Sequence, residues 1–209
     1  MGWLGRSVAY LDGAIDKYVV DGAVNGLALV AKHPEQVRTL VAHEPPASQE
    51  LPDREAVLAA CAGIRETYYR GGFGPAMAKF IAIVSYEGPF PEGYADQPGP
   101  DPAMFGLPAE DDGSRDDPLL SDRSWAVTSY RPDVDALRAA PRRVVIAVGE
   151  ESAGTATART SAAIAELLGQ RQPTVFPSHH GGFLGGESGY AGQPEAFARR
   201  LRDVLDNGN

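Results

Sequence analysis

Three short stretches carry side chains that could do chemistry together. "FPSHHGGFLGG" (176–186) sets His179 and His180 ahead of paired glycines, "VAHEPP" (41–46) sets Glu44 ahead of paired prolines, and "VVDGAV" (19–24) sets Asp21 beside Gly22. Imidazole titrates near neutrality, so a histidine can take a proton from an attacking group and return it to a leaving group. Gly181 and Gly182 allow the backbone to bring His180 into a cleft, and its place between the last strand and the last helix favours it over His179. The competing reading is a glycine-rich surface loop with two solvated histidines. A carboxylate at the C-terminal end of a parallel strand, locked by Pro45 and Pro46, is placed to orient an imidazole. Its competing reading is an acid in a rigid turn or a local ion pair. Asp21 reads first as the cap of a helix that starts at Gly22.

The elements that must position these residues follow from apolar patterning. "RTLVAH" (38–43), "RRVVIAVG" (142–149) and "PTVFPS" (173–178) are short apolar runs, with "KYVV" (17–20) a weaker fourth. Apolar runs separated by helices indicate an α/β class with a parallel sheet of three to four strands covered on both faces. Helices are expected over 22–32, where Gly22, Ala23, Gly26, Ala28 and Ala31 permit close packing and Pro34 ends the run, and over 155–168. In "QPEAFARRLRDVLD" (193–206), Phe197, Leu201, Val204 and Leu205 form one apolar stripe on a charged helix. The middle segment predicts helices over about 53–70 and 74–86 and a further helical stretch at 121–130. The proline- and acid-rich segment 87–118 between them reads as a solvated loop. One domain is expected, with a core of 17–46 and 142–209 and a cap or lid insertion of 47–141.

Composition narrows the classes. A net charge of -9 with no Lys/Arg cluster argues against nucleic-acid binding. One cysteine, Cys61, can build neither a disulfide framework nor a cysteine-based metal site, and it reads as a small buried residue. No signal-peptide core and no membrane-length apolar run is visible, so the expectation is a soluble cytoplasmic protein. No glycine-rich phosphate cradle and no metal-ligand spacing among His179, His180 and Glu44 is present, so no cofactor is expected.

From Gly22 onward the chain resembles the α/β-hydrolase family. "GAVNGLALVAKHPEQVRTLVAHEPP" (22–46) resembles the helix after the nucleophile turn and the strand that follows it. "RPDVDALRAAPRRVVIAVGEES" (131–152) resembles the run into the next strand, and "FPSHHGGFLGG" resembles the loop of the catalytic histidine. The resemblance spans residues 22–209 and implies a partial α/β-hydrolase fold. It implies His180 as the base. It puts the usual acid position at Ser152, which is no acid, with Glu150 and Glu151 out of register. The variant of haloalkane dehalogenases, with the acid one strand earlier, falls on Glu44. The nucleophile register falls on Val20, which has no nucleophilic atom, with Asp21 and Gly22 completing the oxyanion turn. Shifting by one residue makes Asp21 itself the nucleophile, with Val19 where a small residue belongs. Ser7 and Ser48 lack the required turn.

The resulting expectation is a hydrolase of small ester- or amide-type substrates, impaired because the nucleophile serine is absent. The alternative is a non-catalytic binding relative or a truncated hydrolase fragment, and residues 1–21 are expected to differ in origin from the rest. The expected partner is a small-molecule substrate or ligand, with neither nucleic acid nor membrane. An exposed strand edge at 17–20 is expected to promote homo-oligomerisation.

Overall fold

The computed structural model describes residues 9–12, 22–185 and 191–206. The expected strand at 17–20, together with Ser7, Val19, Val20 and Asp21, lies outside the described residues. The chain forms two compact units. One comprises Met1–Ala47, Arg131–Ala153 and Thr157–Asn209, and the other Ser48–Tyr130 with Gly154–Ala156.

The first unit is built on a four-stranded sheet of β1 (Ala9–Asp12), β2 (Thr39–His43), β3 (Arg143–Gly149) and β4 (Thr174–Phe176), in that spatial order. β2, β3 and β4 run parallel, with Leu40 opposite Val144, Ala42 opposite Ile146 and Val148 opposite Val175. β1, which was not among the strands read from the sequence, pairs antiparallel to β2, with Ala9 opposite Ala42. Every residue of β2 is buried, as its unbroken apolar character requires of a strand covered on both faces.

The helices of this unit are α1 (Gly22–Lys32), α5 (Val134–Ala139), α6 (Ala156–Leu167) and α7 (Pro194–Asp206). α1 buries Gly22, Ala23, Gly26, Leu27 and Val30, and the small residues let it pack closely against its neighbours. α7 lays Phe197, Leu201 and Val204 onto Val41, Val145, Ala147 and Phe176, one face of the parallel strands. α5 lies in the stretch assigned by pattern to the insertion, yet it belongs to this unit. Asp133 caps it by accepting from the Ala136 N–H at 3.0 Å, and Leu137 is buried. β4 is too short to pair the whole of β3. The Gln170 side chain supplies the missing bonds, donating to Val144 O at 2.8 Å and accepting from Ile146 N–H at 3.3 Å.

The second unit is helical, with α2 (Arg54–Gly71), α3 (Phe73–Val84) and α4 (Asp122–Thr128). Its core joins Val57, Ala60, Ile64 and Tyr68 of α2 to Ala76, Met77 and Ile83 of α3, with Leu51, Phe90 and Leu120. Cys61 packs partly buried against this cluster. The acidic segment 87–118 is largely exposed, but it is not wholly a solvated loop. Phe90 is buried and meets Tyr86 and Tyr94 with ring centroids 4.7 Å apart in each case. The Asp53 carboxylate accepts from the Phe90 N–H at 2.8 Å, and Tyr68 Oη accepts from the Asp117 N–H at 3.1 Å. Aromatic anchors spaced among the acids explain the difference, because three rings bury enough apolar surface to fix a polar segment. Among the described residues no helix is long and apolar enough to cross a membrane.

Candidate functional site

Glu44 follows the last residue of β2. Its N–H donates to Ala147 O at 2.9 Å, which continues the ladder to β3, and its φ of 47° then turns the chain out of the strand. A non-glycine residue in this left-handed region costs on the order of 1 kcal/mol or more, so the surroundings must hold it there. The hold comes from the following prolines and from Thr160, whose hydroxyl donates to Pro45 O at 2.5 Å.

The Glu44 side chain is 0% exposed, and a buried carboxylate is tolerated only when its oxygens are bonded. Oε1 accepts from the Gly149 N–H at 2.9 Å, and Oε2 accepts from Thr157 Oγ1 at 2.7 Å. Oε2 also lies 2.8 Å from Nδ1 of His180. Ser152 adds a further side-chain hydrogen bond. Burial alone would raise the carboxyl's pKa. The hydrogen bond and charge of His180, the charge of His43 and the Ser152 bond outweigh it, so Glu44 is held well below the usual carboxylate range. An ionised carboxylate only accepts, so the shared proton sits on His180 Nδ1, and in the neutral ring Nε2 is the acceptor nitrogen. His180 is 22% exposed, and no described residue is hydrogen-bonded to its Nε2. The geometry thus fixes one nitrogen of His180 and leaves the other without a partner among the described residues.

The loop after β4 places His180. Ser178, with φ of 69° and buried, donates its N–H to Glu150 Oε1 at 3.2 Å and accepts at its carbonyl from the Glu151 N–H at 3.0 Å. His179 then closes the loop on itself. Its Nδ1 accepts from the Gly181 N–H at 3.0 Å, which assigns the ring proton to Nε2, 3.2 Å from Ala191 O. The glycines are required by close approach. A Cβ on Gly149 would stand 2.6 Å from Ser178 O, and one on Gly192 would stand 2.5 Å from the carbonyls of both Gly181 and Gly182.

Of the residues singled out from the sequence, the structure brings Glu44 and His180 together. Glu150 and Glu151 are exposed and belong to the turn after β3, where they pair with Ser178 rather than with His180. Ser152, in the position where an acid was looked for, instead hydrogen-bonds the acid that came from β2. Gly22 opens α1 and is buried. Asp21 and Val20, the two candidates for the attacking position, lie outside the described residues. Ser48 is buried in a short 3-10 turn of the second unit. Among the described residues no group of three or more His, Cys, Asp or Glu side chains could hold a metal ion.

Sequence reasoning missed two kinds of residue. Thr157 lies near the start of α6, and nothing in its spacing points to a carboxylate 113 residues earlier. His43 reads as the end of an apolar strand, yet it packs beside the pair. Its ring lies 6.2 Å from that of His180 at 25°, 5.1 Å from Phe197 edge-on and 5.7 Å from Phe176. Burial is the main force on it and lowers its pKa to about 4, against the pull of Glu44 and with a contribution from the His180 charge. His43 is therefore neutral near pH 7.

Compared with protein-family models, with curated proteins and with solved structures, the chain gives no match.

Proposed function

We propose that the first unit is a hydrolase site of the α/β-hydrolase type, acting on small ester- or amide-type substrates, with His180 as general base and Glu44 as its orienting acid. In this reading β2, β3 and β4 are the strands after the nucleophile helix α1, and the second unit occupies the chain position of the helical cap. The observation that carries the reading is the 2.8 Å contact between His180 Nδ1 and the fully buried, multiply bonded Glu44. Enclosing an ionised carboxylate is costly, and here its donors all serve to hold it ionised and aimed at one imidazole.

Nε2 of His180 takes the proton of an attacking hydroxyl while Nδ1–H stays on Glu44, which stabilises the imidazolium. The attacker adds to the carbonyl carbon, and the imidazolium then protonates the leaving alkoxide or amine, so the base ends as it began. The attacker is water, whose proton His180 takes and whose oxygen ends in the acid product. Hydrolysis of p-nitrophenyl acetate by the wild type and by His180→Gln tests this. Turnover that falls to the buffer rate in His180→Gln supports it. Equal rates in the two proteins, or none in either, overturn it.

A second reading, a binding relative without turnover, is favoured by Val20 in the nucleophile register of the resemblance. A ligand-induced rise in melting temperature, with no hydrolysis of that ligand, would select it.

A further inference from the structure

Three hydroxyls of α6, on Thr157, Thr160 and Ser161, stand three and four residues apart and so share one face of the helix. Thr160 and Ser161 are fully buried there, in the place where a helix packed on a sheet ordinarily carries apolar side chains. Both follow the usual habit of hydroxyls inside a helix and bond back to the Thr157 carbonyl, at 2.9 and 2.8 Å. Each also reaches the backbone around Glu44. Thr160 donates to Pro45 O at 2.5 Å, and Ser161 Oγ lies 3.4 Å from Ala147 O, the carbonyl that takes the Glu44 N–H. This face thus meets the chain on both sides of the Glu44 turn.

Thr157 differs from the other two. A hydroxyl has one proton to give, and that of Thr157 goes to Glu44 Oε2 at 2.7 Å, because an ionised carboxylate only accepts. Oε2 then holds two donors, Thr157 and His180 Nδ1, one for each of its two lone pairs. Gly149 N–H holds the other oxygen, and Ser152 gives the carboxylate a further hydrogen bond. The charge of Glu44 therefore has partners without Thr157. What the Thr157 hydroxyl adds is a second fixed point on the very oxygen that His180 uses, which opposes rotation of the carboxylate about its last side-chain bond.

We propose that Thr157 is a positioning residue: its hydroxyl fixes Oε2 of Glu44 so that the remaining lone pair of that oxygen stays aimed at His180 Nδ1. The consequence for rate rests on the general-base reading of His180, whereas the geometry can be tested without it. Thr157 touches no reacting atom and acts only through Glu44.

The test compares wild type with Thr157→Val, which keeps the shape and loses the hydroxyl, and Thr157→Ser, which keeps the hydroxyl. Crystal structures and p-nitrophenyl acetate kinetics are the two readouts. In Thr157→Val the Nδ1 to Oε2 separation is expected to lengthen beyond about 3.5 Å, or the carboxylate to divide between two orientations. Its kcat is expected to fall about tenfold or more with KM little changed, the pattern of an interaction that matters in the transition state. Thr157→Ser is expected to recover both. A single carboxylate orientation, still hydrogen-bonded to His180 in folded Thr157→Val, overturns the proposal, as does a Thr157→Ser that behaves like Thr157→Val. If Thr157→Val does not fold, Thr157→Ala takes its place with the same outcomes, and failure of both to fold marks the hydroxyl as structural and overturns the proposal. A displaced carboxylate in a protein whose esterase turnover is absent or unchanged sinks the hydrolase reading alone. An active enzyme in which Thr157→Val keeps both pair and rate sinks this inference alone.

Discussion

Nδ1 of His180 lies 2.8 Å from Oε2 of Glu44, a residue 136 positions earlier in the chain. The same oxygen takes the Thr157 hydroxyl, and the other takes the Gly149 N–H, so strand end, turn and helix start converge on one carboxylate. In the proposed general-base reading, such a pair is directed only while Glu44 stays ionised and cannot rotate.

Glu44→Gln should abolish that direction. The amide cannot accept at both ends, and its NH2 group would face donors. The proposed esterase activity is expected to fall about 100-fold or more. Stability is expected to fall by about 2–4 kcal/mol, because buried donors lose their acceptor. Urea melts and initial rates measure both, and activity equal to wild type would show that the carboxylate is structural only.

Acid stability should carry the signature of His43. Its pKa is lowered in the folded chain, from 6.5 to about 4, so between these values the unfolded state binds more protons than the folded one. Stability therefore falls as pH drops below about 6.5, by roughly 3 kcal/mol at most by the time pH 4 is reached. Glu44 is also lowered on folding, and its contribution, full above the usual carboxylate range, is lost at still lower pH. Denaturant melts at pH 7, 5.5 and 4.5 should show the early slope in wild type and a much flatter one in His43→Phe.

Gly149→Ala should disturb the pair from behind. The added methyl would stand 2.6 Å from Ser178 O and 3.0 Å from the His179 Cα, both backbone atoms of the loop that carries His180. The loop must shift, at a cost of about 1–3 kcal/mol. The proposed activity should drop more than stability explains, since Gly149 N–H also holds Glu44 Oε1. A variant with wild-type rate and melting temperature would contradict this packing.

Arg200 should guard the sheet edge. Among the described residues β4 is at the edge of the sheet, and Val175 on it is 47% exposed, but the Val175 carbonyl accepts from Arg200 Nε at 3.1 Å. An edge carbonyl already bonded is a poorer template for another chain. Sedimentation velocity should show more self-association for Arg200→Ala than for wild type at equal concentration. Identical distributions would show that this bond does not control the edge.

The sheet and helices were largely legible because their signals are local. Apolar runs mark β2, β3 and β4, an i, i+4, i+7 stripe marks α7, and Pro34 marks the end of α1. Glu44 and His180 were legible as candidates because strand ends of parallel sheets are where functional side chains gather. β1 was not read, since four residues with a terminal aspartate carry too little pattern, and Phe90 was lost in a segment whose composition is acidic.

By itself the amino-acid sequence determined the parallel α/β core, the helical segment interposed between β2 and β3, and the residue types available for proton transfer. Only the tertiary structure decided that Glu44, and neither Glu150 nor Glu151, meets His180, that Ser152 and Thr157 serve that carboxylate, and that His43 lies buried beside it. The physical reason is register. With Ala147 opposite His43, Glu44 falls one step beyond the ladder, within reach of Gly149 N–H and the α6 hydroxyl, and Ala147 opposite Thr174 brings the β4 loop to the same corner.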